Sequence, residues 1–185
     1  MVDPIRNSAV SELKSDGTEI DALLERIEQC VAEISLGFER WDDPHARGPG
    51  LYFVVECDSV DGFSVPMGSN RWPVEDCASV FADTETFLKT AQRVALSCDG
   101  AVVVHEDGTI DEKMVRLAQL STVESDRVGG LPYAGWMGAR HMSALETSTR
   151  NAVIAAITLS EEDGRVTVFT DGTFEDTPMT RWVID

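Results

Sequence analysis

Short apolar runs constrain the fold of this 185-residue chain most, because they predict buried strands. The run at 51–57 (LYFVVEC) is rich in β-forming residues, and the run at 101–104 (AVVV) is typical of a buried strand. Residues 153–159 predict another strand, and 166–170 predict a strand that returns after a turn. A further strand is expected at about 110–118, after the tight turn of HEDGT. The sheet that these strands form would need helices to cover it.

Apolar residues at helical spacing predict the helices that would cover this sheet. Residues 19–39 predict one long amphipathic helix with Thr18 as its N-cap. A second helical region covers 74–97, with an interruption near Asp83, and 139–150 form a third. We therefore predict an α/β (mixed α+β) fold. Its central mixed β-sheet would be flanked by helices and preceded by the N-terminal amphipathic helix.

The chain divides by composition near residue 50. Residues 1–17 are polar and predict a leader or a short helix, whereas 42–50 are rich in proline and glycine and predict a loop that ends the long helix. We expect 1–50 to form an N-terminal leader and helix that serves as an oligomerisation element. The remainder, 51–185, would form the main domain.

The net charge of −18 limits the partners of the chain. No block of lysine and arginine exists to displace phosphate counterions, so we expect no binding to nucleic acid. The carboxylates either form an acidic interaction surface or adapt the protein to a cytoplasm of molar salt. Their even distribution favours salt adaptation. No stretch approaches the roughly 20 apolar residues that span a bilayer, so we expect a cytoplasmic protein without a membrane partner.

The first polar cluster, Asp99, Gly100 and Ala101, stands where the AVVV strand begins. Ligands of α/β proteins bind at strand ends, and a carboxylate in that position can hold a divalent metal. The glycine would let a ligand approach the backbone closely. An ordinary turn before a strand would have the same pattern, so the tripeptide alone leaves both interpretations open.

The second cluster comprises Gly138, Ala139, Arg140 and His141. It opens a predicted helix directly after an irregular, glycine-rich loop at 119–137. Amides at a helix N-terminus, a guanidinium and an imidazole together favour a phosphate site. The alternative is a capped helix that carries an exposed arginine and a histidine with satisfied hydrogen bonds.

The third cluster, Ser160, Glu161 and Glu162, follows a predicted strand and precedes a turn. A serine hydroxyl can bond phosphate oxygens and a glutamate can hold a metal, although the same residues are common in hairpin turns. None of the three clusters is specific alone. Their order and their setting at strand ends and at a helix start make a coincidence hard to accept.

In that order the clusters resemble the motifs of the diadenylate cyclase (DAC) domain family, whose members condense two ATP molecules into cyclic di-AMP and two pyrophosphates. The family's DGA motif is intact at 99–101. Arg140 and His141 stand in the place of its RHR motif, and Ser-Glu-Glu occupies 160–162. The resemblance covers about 99–170 and extends back toward the first predicted strand.

Two positions depart from the family pattern. Met142 replaces the second arginine of RHR, and Ala139 stands where bacterial members often have threonine. Methionine does not replace the charge or the hydrogen bonds of an arginine at a phosphate site. The acidic composition predicts an archaeal, salt-adapted branch of the family, in which Met142 would be the normal residue.

The resemblance implies a role for each cluster. The catalytic residues would be Asp99, Arg140 and His141, and Asp99 with Glu161 would hold Mn²⁺ or Mg²⁺. The residues expected to contact the nucleotide are Gly100, Ala101, Leu131, Gly138, Ala139, Arg140, Ser160 and Glu161.

The resemblance also implies partners. Each domain of the family holds one ATP, so two domains must meet face to face, and we expect at least a homodimer. Because Met142 removes a cation, the alternative is a catalytically weakened sensor or regulatory protein that binds ATP or cyclic di-AMP. A third interpretation is an acidic scaffold without a ligand.

Overall fold

The structure, a computed structural model, describes residues 6–177, with side chains from residue 17 onward. Residues 1–5 of the predicted leader and 178–185 of the predicted main domain lie outside it. Its helices are α1 (Arg6–Gly37), α2 (Thr84–Ser97), α3 (Thr122–Val128) and α4 (Ala139–Thr147), with a 3-10 helix at Val60–Phe63. Its strands are β1 (Leu51–Glu56), β2 (Ser64–Arg71), β3 (Val102–His105), β4 (Lys113–Leu117), β5 (Val153–Leu159), β6 (Val166–Thr170) and β7 (Thr173–Thr177).

Strand β1 organises the main sheet, whose strand order is β3-β1-β5-β6-β7. It runs parallel to β3, pairing Phe53 with Val102, and antiparallel to β5, pairing Leu51 with Leu159. Strands β6 and β7 continue the sheet in antiparallel fashion, while β2 and β4 form a separate two-stranded sheet. As a consequence, the beginning of β3 and the end of β5 lie at the same edge of the main sheet.

Side chains of β1 alternate between two hydrophobic cores. Phe53 and Val55 belong to the core that α1 and α2 cover, whereas Tyr52 and Val54 face the core beneath α4 and β4. All six residues of β1 are buried, and each buried apolar side chain contributes about 1.5–3 kcal/mol to folding. The predicted class, a central mixed sheet flanked by helices, is confirmed.

Several predicted elements have the expected bounds and others differ. Strands β5 and β6 coincide with the predicted runs. Of the helical region predicted at 74–97, only 84–97 is helical, as α2, and 74–83 form turns and an isolated bridge instead. Asp83 is the N-cap of α2, and its carboxylate accepts a hydrogen bond from Thr86 N. The prediction missed β2 and β7. Strand β2 contains Pro66 and Gly68, which are typical of turns and therefore concealed it. The loop predicted at 119–137 contains α3.

Helix α1 begins earlier than predicted, at Arg6, and runs through Thr18, so the N-cap assigned to Thr18 is wrong. On its apolar face Leu23, Ile27 and Val31 are fully buried, in the core that also contains Phe53 of β1. The division of the chain near residue 50 and the oligomerising role of its first part stay predictions. Within residues 6–177, no helix is both long enough and apolar enough to cross a membrane.

At the other end of β1 and β3, the paired residues Glu56 and His105 form an ion pair. His105 Nδ1 lies 2.7 Å from Glu56 Oε1, and Nε2 lies 3.0 Å from Asp111 Oδ1. Burial opposes protonation of the ring, but hydrogen bonding and charge from Asp111, with the charge of Glu56, outweigh it and raise the pKa of His105. Protonation of the ring is therefore favoured, and the ring contacts link the ends of the two parallel strands.

This ion pair predicts a stability that falls as pH rises. Since the folded-state pKa of His105 lies above its ordinary value of 6.5, its stabilising contribution is complete below that value and is lost as pH rises through the raised pKa. Denaturant unfolding of the wild type and of His105→Gln, compared at about pH 5.5 and about pH 8.5, measures this contribution. The variant should lose less stability than the wild type over this interval. Equal losses would contradict the assignment.

Candidate functional site

A cavity of about 370 Å³ opens at the sheet edge where β3 begins and β5 ends. The strand directions place it there, because β1 is parallel to β3 and antiparallel to β5. The start of α4 completes the wall, so all three sequence clusters meet at one site. The predicted site residues that line the cavity are Asp99, Gly100, Ala101, Gly138, Ala139, Arg140, His141, Ser160 and Glu161.

The turn before β3 is fixed by β4. Ala101 N donates to Val115 O at 2.7 Å, and Val115 N donates to Ala101 O at 2.9 Å. Gly100 has a φ of +104°, and a Cβ there would lie 3.0 Å from Val115 O, so a larger residue would be strained. The side chain of Asp99 is 55% exposed at the cavity, where it is accessible to a ligand.

Helix α4 begins at the cavity with Ala139, and the residue before it, Gly138, is an N-cap without a side chain. Its N-terminus carries a partial positive charge that favours anions. Nearby, Arg140 Nη1 donates to Leu159 O at 3.4 Å, and Nη2 lies 3.5 Å from Glu161 Oε2. A Cβ on Gly50 would lie 2.6 Å from Arg140 Nη1, so the loop before β1 packs closely on this guanidinium. The guanidinium is therefore held at the cavity wall.

His141 supplies an uncharged ring to this wall. The ring meets Trp136 edge-on at 5.0 Å between centroids, and among the described residues its Nε2 has no hydrogen-bond partner. Burial, reinforced by the charge of Arg140, lowers the pKa of His141 to about 4. At neutral pH, His141 contributes shape and hydrogen-bonding capacity, and Arg140 provides the positive charge.

Ser160 and Glu161 follow β5 directly. Ser160 is buried, and its Oγ accepts a hydrogen bond from Glu162 N at 3.3 Å, which tightens the turn into β6. Burial opposes ionisation of Glu161, but hydrogen bonds and charges from Arg47 and Arg140 outweigh it and keep the pKa of Glu161 below its usual value. The cavity therefore contains a firmly ionised carboxylate.

Arg47 is a cavity residue that no sequence motif marks. Its Nε and Nη2 donate to Glu161 Oε2 at 3.1 and 2.9 Å, and Nη2 lies 3.5 Å from Asp99 Oδ1. It belongs to the loop between α1 and β1, 52 residues before Asp99. Only the folded topology brings this guanidinium between the two carboxylates, so local sequence patterns could not have identified it.

Leu131 and Met142, which the sequence analysis singled out, do not line the cavity. Leu131 is not among the residues that line the cavity; its Cδ2 lies 3.1 Å from the place of a Cβ on Gly172, at the turn between β6 and β7. The contact of Leu131 with a nucleotide stays a prediction. Met142 is 39% exposed and also falls outside the cavity lining.

The donor set of the cavity suits a divalent cation. Oxygens of Asp99 and Glu161 both lie within 3.5 Å of one cationic atom, Arg47 Nη2, and carboxylate oxygens are the ligands that Mg²⁺ and Mn²⁺ prefer. A separate cluster of three potential metal ligands lies at the opposite end of β1 and β3: Glu56, His105 and Asp111. In that cluster the imidazole already contacts both carboxylates. Asp99 and Glu161 stay the predicted metal ligands, because they line the cavity that the three sequence clusters share, whereas Glu56, His105 and Asp111 do not.

Comparisons with known proteins agree with this geometry. The family model described as DAC, DisA bacterial checkpoint controller nucleotide-binding, matches residues 80–174. The fold is similar to a crystal structure of a double mutant of DacA from Staphylococcus aureus, with a TM-score of 0.51 and 17% identity over 84% of this chain and 86% of that one. It is also similar to a hypothetical membrane spanning protein from Bacillus cereus, with a TM-score of 0.54 and 17% identity over 82% of this chain and 61% of that one. No curated protein sequence matches the chain.

The close packing of Gly50 on Arg140 predicts a selective defect. The added methyl group of Gly50→Ala would displace the guanidinium from the cavity wall and weaken binding of a nucleoside triphosphate about tenfold, as expected for the loss of a hydrogen bond to a charged group. Gly62→Ala is the matched control, since a Cβ there has no heavy atom within 4 Å. Isothermal titration calorimetry would compare both variants with the wild type. Equal affinities for the two variants would contradict this role of Gly50.

Proposed function

Because the chain belongs to the DAC family of nucleotide-binding domains, we propose that it is a diadenylate cyclase, which condenses two ATP molecules into cyclic di-AMP and two pyrophosphates. One observation carries the proposal: the three family motifs, which are distant in sequence, line a single cavity. The matched region, 80–174, includes all three of them.

The cavity can bind a triphosphate in an otherwise acidic protein. Arg47, Arg116 and Arg140 line it beside Asp99, Glu161 and Glu162, so three guanidinium groups balance three carboxylates here in a chain with a net charge of −18. Arg140 at the start of α4 is placed to bond phosphate oxygens, together with the helix amides. Ser160 supplies a hydroxyl and Gly100 leaves room for close approach. Short-range contacts would therefore offset the long-range repulsion between ATP and the protein.

Asp99 and Glu161 would hold Mn²⁺ or Mg²⁺ when ATP binds. A metal at these carboxylates would supply charge neutralisation for the triphosphate. Asp99 is exposed at the start of β3 and Glu161 is kept ionised by neighbouring guanidinium groups. Both residues can therefore offer carboxylate oxygens to a metal.

The reaction would require two copies of the domain. In each half of the cycle, the 3′-oxygen of one ATP attacks the α-phosphorus of the other, the bond to the β-phosphate oxygen breaks, pyrophosphate leaves and the hydroxyl proton is released. The protein contributes positioning and electrostatics, since two nucleotides held face to face avoid the entropic cost of a random encounter. A homodimer in which each cavity holds one ATP satisfies this requirement.

The alternative is a sensor or regulatory protein that binds ATP or cyclic di-AMP without efficient turnover. The observation that favours it is Met142, an exposed apolar residue where the family pattern has an arginine. Incubation with ATP and Mn²⁺ in molar KCl, followed by mass spectrometry, separates the two functions. Cyclic di-AMP supports the cyclase, whereas ATP binding without product at every protein concentration and with either metal supports the sensor.

The metal assignment predicts the effect of Asp99→Asn. This substitution keeps the shape of the side chain and removes its charge, so it should abolish cyclic di-AMP formation while leaving the fold intact. Asp126→Asn, on the exposed surface of α3, is the matched control and should retain full activity. Thermal unfolding would check the fold, and product formation would be measured by mass spectrometry. Full activity of Asp99→Asn would exclude its role as a metal ligand.

The charge of −18 predicts that pairing depends on salt. At about 0.15 M ionic strength the screening length is near 8 Å, and at about 1 M it is near 3 Å, so repulsion between acidic protomers should weaken steeply. Light scattering in the presence of ATP should show monomers at low KCl and dimers at molar KCl. NaCl at equal ionic strength would separate screening from a specific effect of potassium. A strict monomer in molar KCl with ATP would contradict the face-to-face reaction.

A further inference from the structure

Arg47 occupies the position between the two predicted metal ligands. Its Nη2 contacts Glu161 Oε2 at 2.9 Å and Asp99 Oδ1 at 3.5 Å. The same nitrogen therefore contacts both carboxylates, and its single positive charge offsets part of theirs. A divalent cation that binds Asp99 and Glu161 has to compete with this guanidinium, because both cations need the same oxygen atoms.

The side chain of Arg47 can leave without disturbing the fold. It is 70% exposed, and the ion pairs of so exposed a group are weak. The backbone, in contrast, is anchored beside the site, since Gly48 N donates to Glu161 O at 3.1 Å. If the guanidinium turns away from the carboxylates, it stays within reach of the cavity that it lines.

We propose that Arg47 is a binding residue that yields the two carboxylates to the divalent cation and then donates hydrogen bonds to the phosphates of ATP. This inference rests on the proposed ATP-binding function. Arg47 would thus provide the cavity with a cation that no motif supplies. Before the substrate binds, the positive charge of Arg47 would also offset part of the negative charge of Asp99 and Glu161.

The proposed exchange is the replacement of Arg47 by a divalent cation at Asp99 and Glu161. Two binding measurements, for which Arg47→Ala should have opposite effects, test it. Titration of Mn²⁺ alone should show tighter binding to Arg47→Ala than to the wild type, by about two- to fivefold, because a competing cation is removed. Titration of ATP at saturating Mn²⁺ should show weaker binding to Arg47→Ala, by about tenfold, because a donor to phosphate is lost. A residue that served only the fold would not shift the two affinities in opposite directions.

A matched control is Arg93→Ala. Arg93 is also an exposed arginine, and it pairs with Asp76 at a distance of 2.6 Å, away from the residues that line the cavity. Its removal changes the net charge equally, so both affinities should stay within about twofold of the wild type. In an Asp99→Asn background, the gain in Mn²⁺ affinity caused by Arg47→Ala should shrink, since one of the contested ligands is gone.

The results of these titrations distinguish a failure of the proposed exchange from a failure of the proposed cyclase function. Tighter Mn²⁺ binding with weaker ATP binding supports the exchange even if the wild type forms no cyclic di-AMP. If the wild type forms cyclic di-AMP and either affinity of Arg47→Ala is unchanged or shifts the other way, the exchange is overturned and the cyclase stands. A wild type that binds no Mn²⁺ without ATP also overturns the exchange.

Discussion

The pairing of β1 with β3 on one side and β5 on the other is the constraint on which the site depends. Parallel pairing with β3 and antiparallel pairing with β5 bring the start of one strand and the end of the other to the same edge. Asp99 and Ser160, 61 positions apart, therefore line one cavity. The pairing is fixed by burial, because every residue of β1 is covered and a slip of one residue would exchange the two cores that it serves.

The distribution of charge explains how an acidic chain can contain such a cavity. Carboxylates outnumber basic residues in the whole chain, whereas three arginines from separate elements meet an equal number of carboxylates in the cavity. The neutral state of His141 matters here, since a charged imidazole beside Arg140 and in a buried position would be costly. The site therefore relies on guanidinium groups, which stay charged at any physiological pH and can bind phosphate oxygens in pairs.

The sequence predicted those parts of the molecule whose signal is local. Strands β5 and β6 and the start of α4 were recognisable because apolar runs and turn residues mark them. The turn-like composition of β2 hid a strand whose pairing with β4 is a tertiary contact. Arg47 was missed for the same physical reason, since a surface arginine in a loop gains its significance only from carboxylates 52 and 114 residues away. The motifs located the cavity, but not its full set of charges.

The glycines of the loop before β1 both mark a turn in the sequence and allow close contacts with residues that are distant in the chain. Glycines on both sides of Pro49 predict a break after the long helix. In the fold, a Cβ on Gly48 would lie 2.8 Å from Glu161 O and would overlap Trp41, and a Cβ on Gly50 would collide with Arg140. The backbone therefore lies close to both the end of β5 and the guanidinium of Arg140. Small residues are needed here because this part of the loop packs closely on Trp41, Glu161 and Arg140, next to the cavity that Arg47 lines.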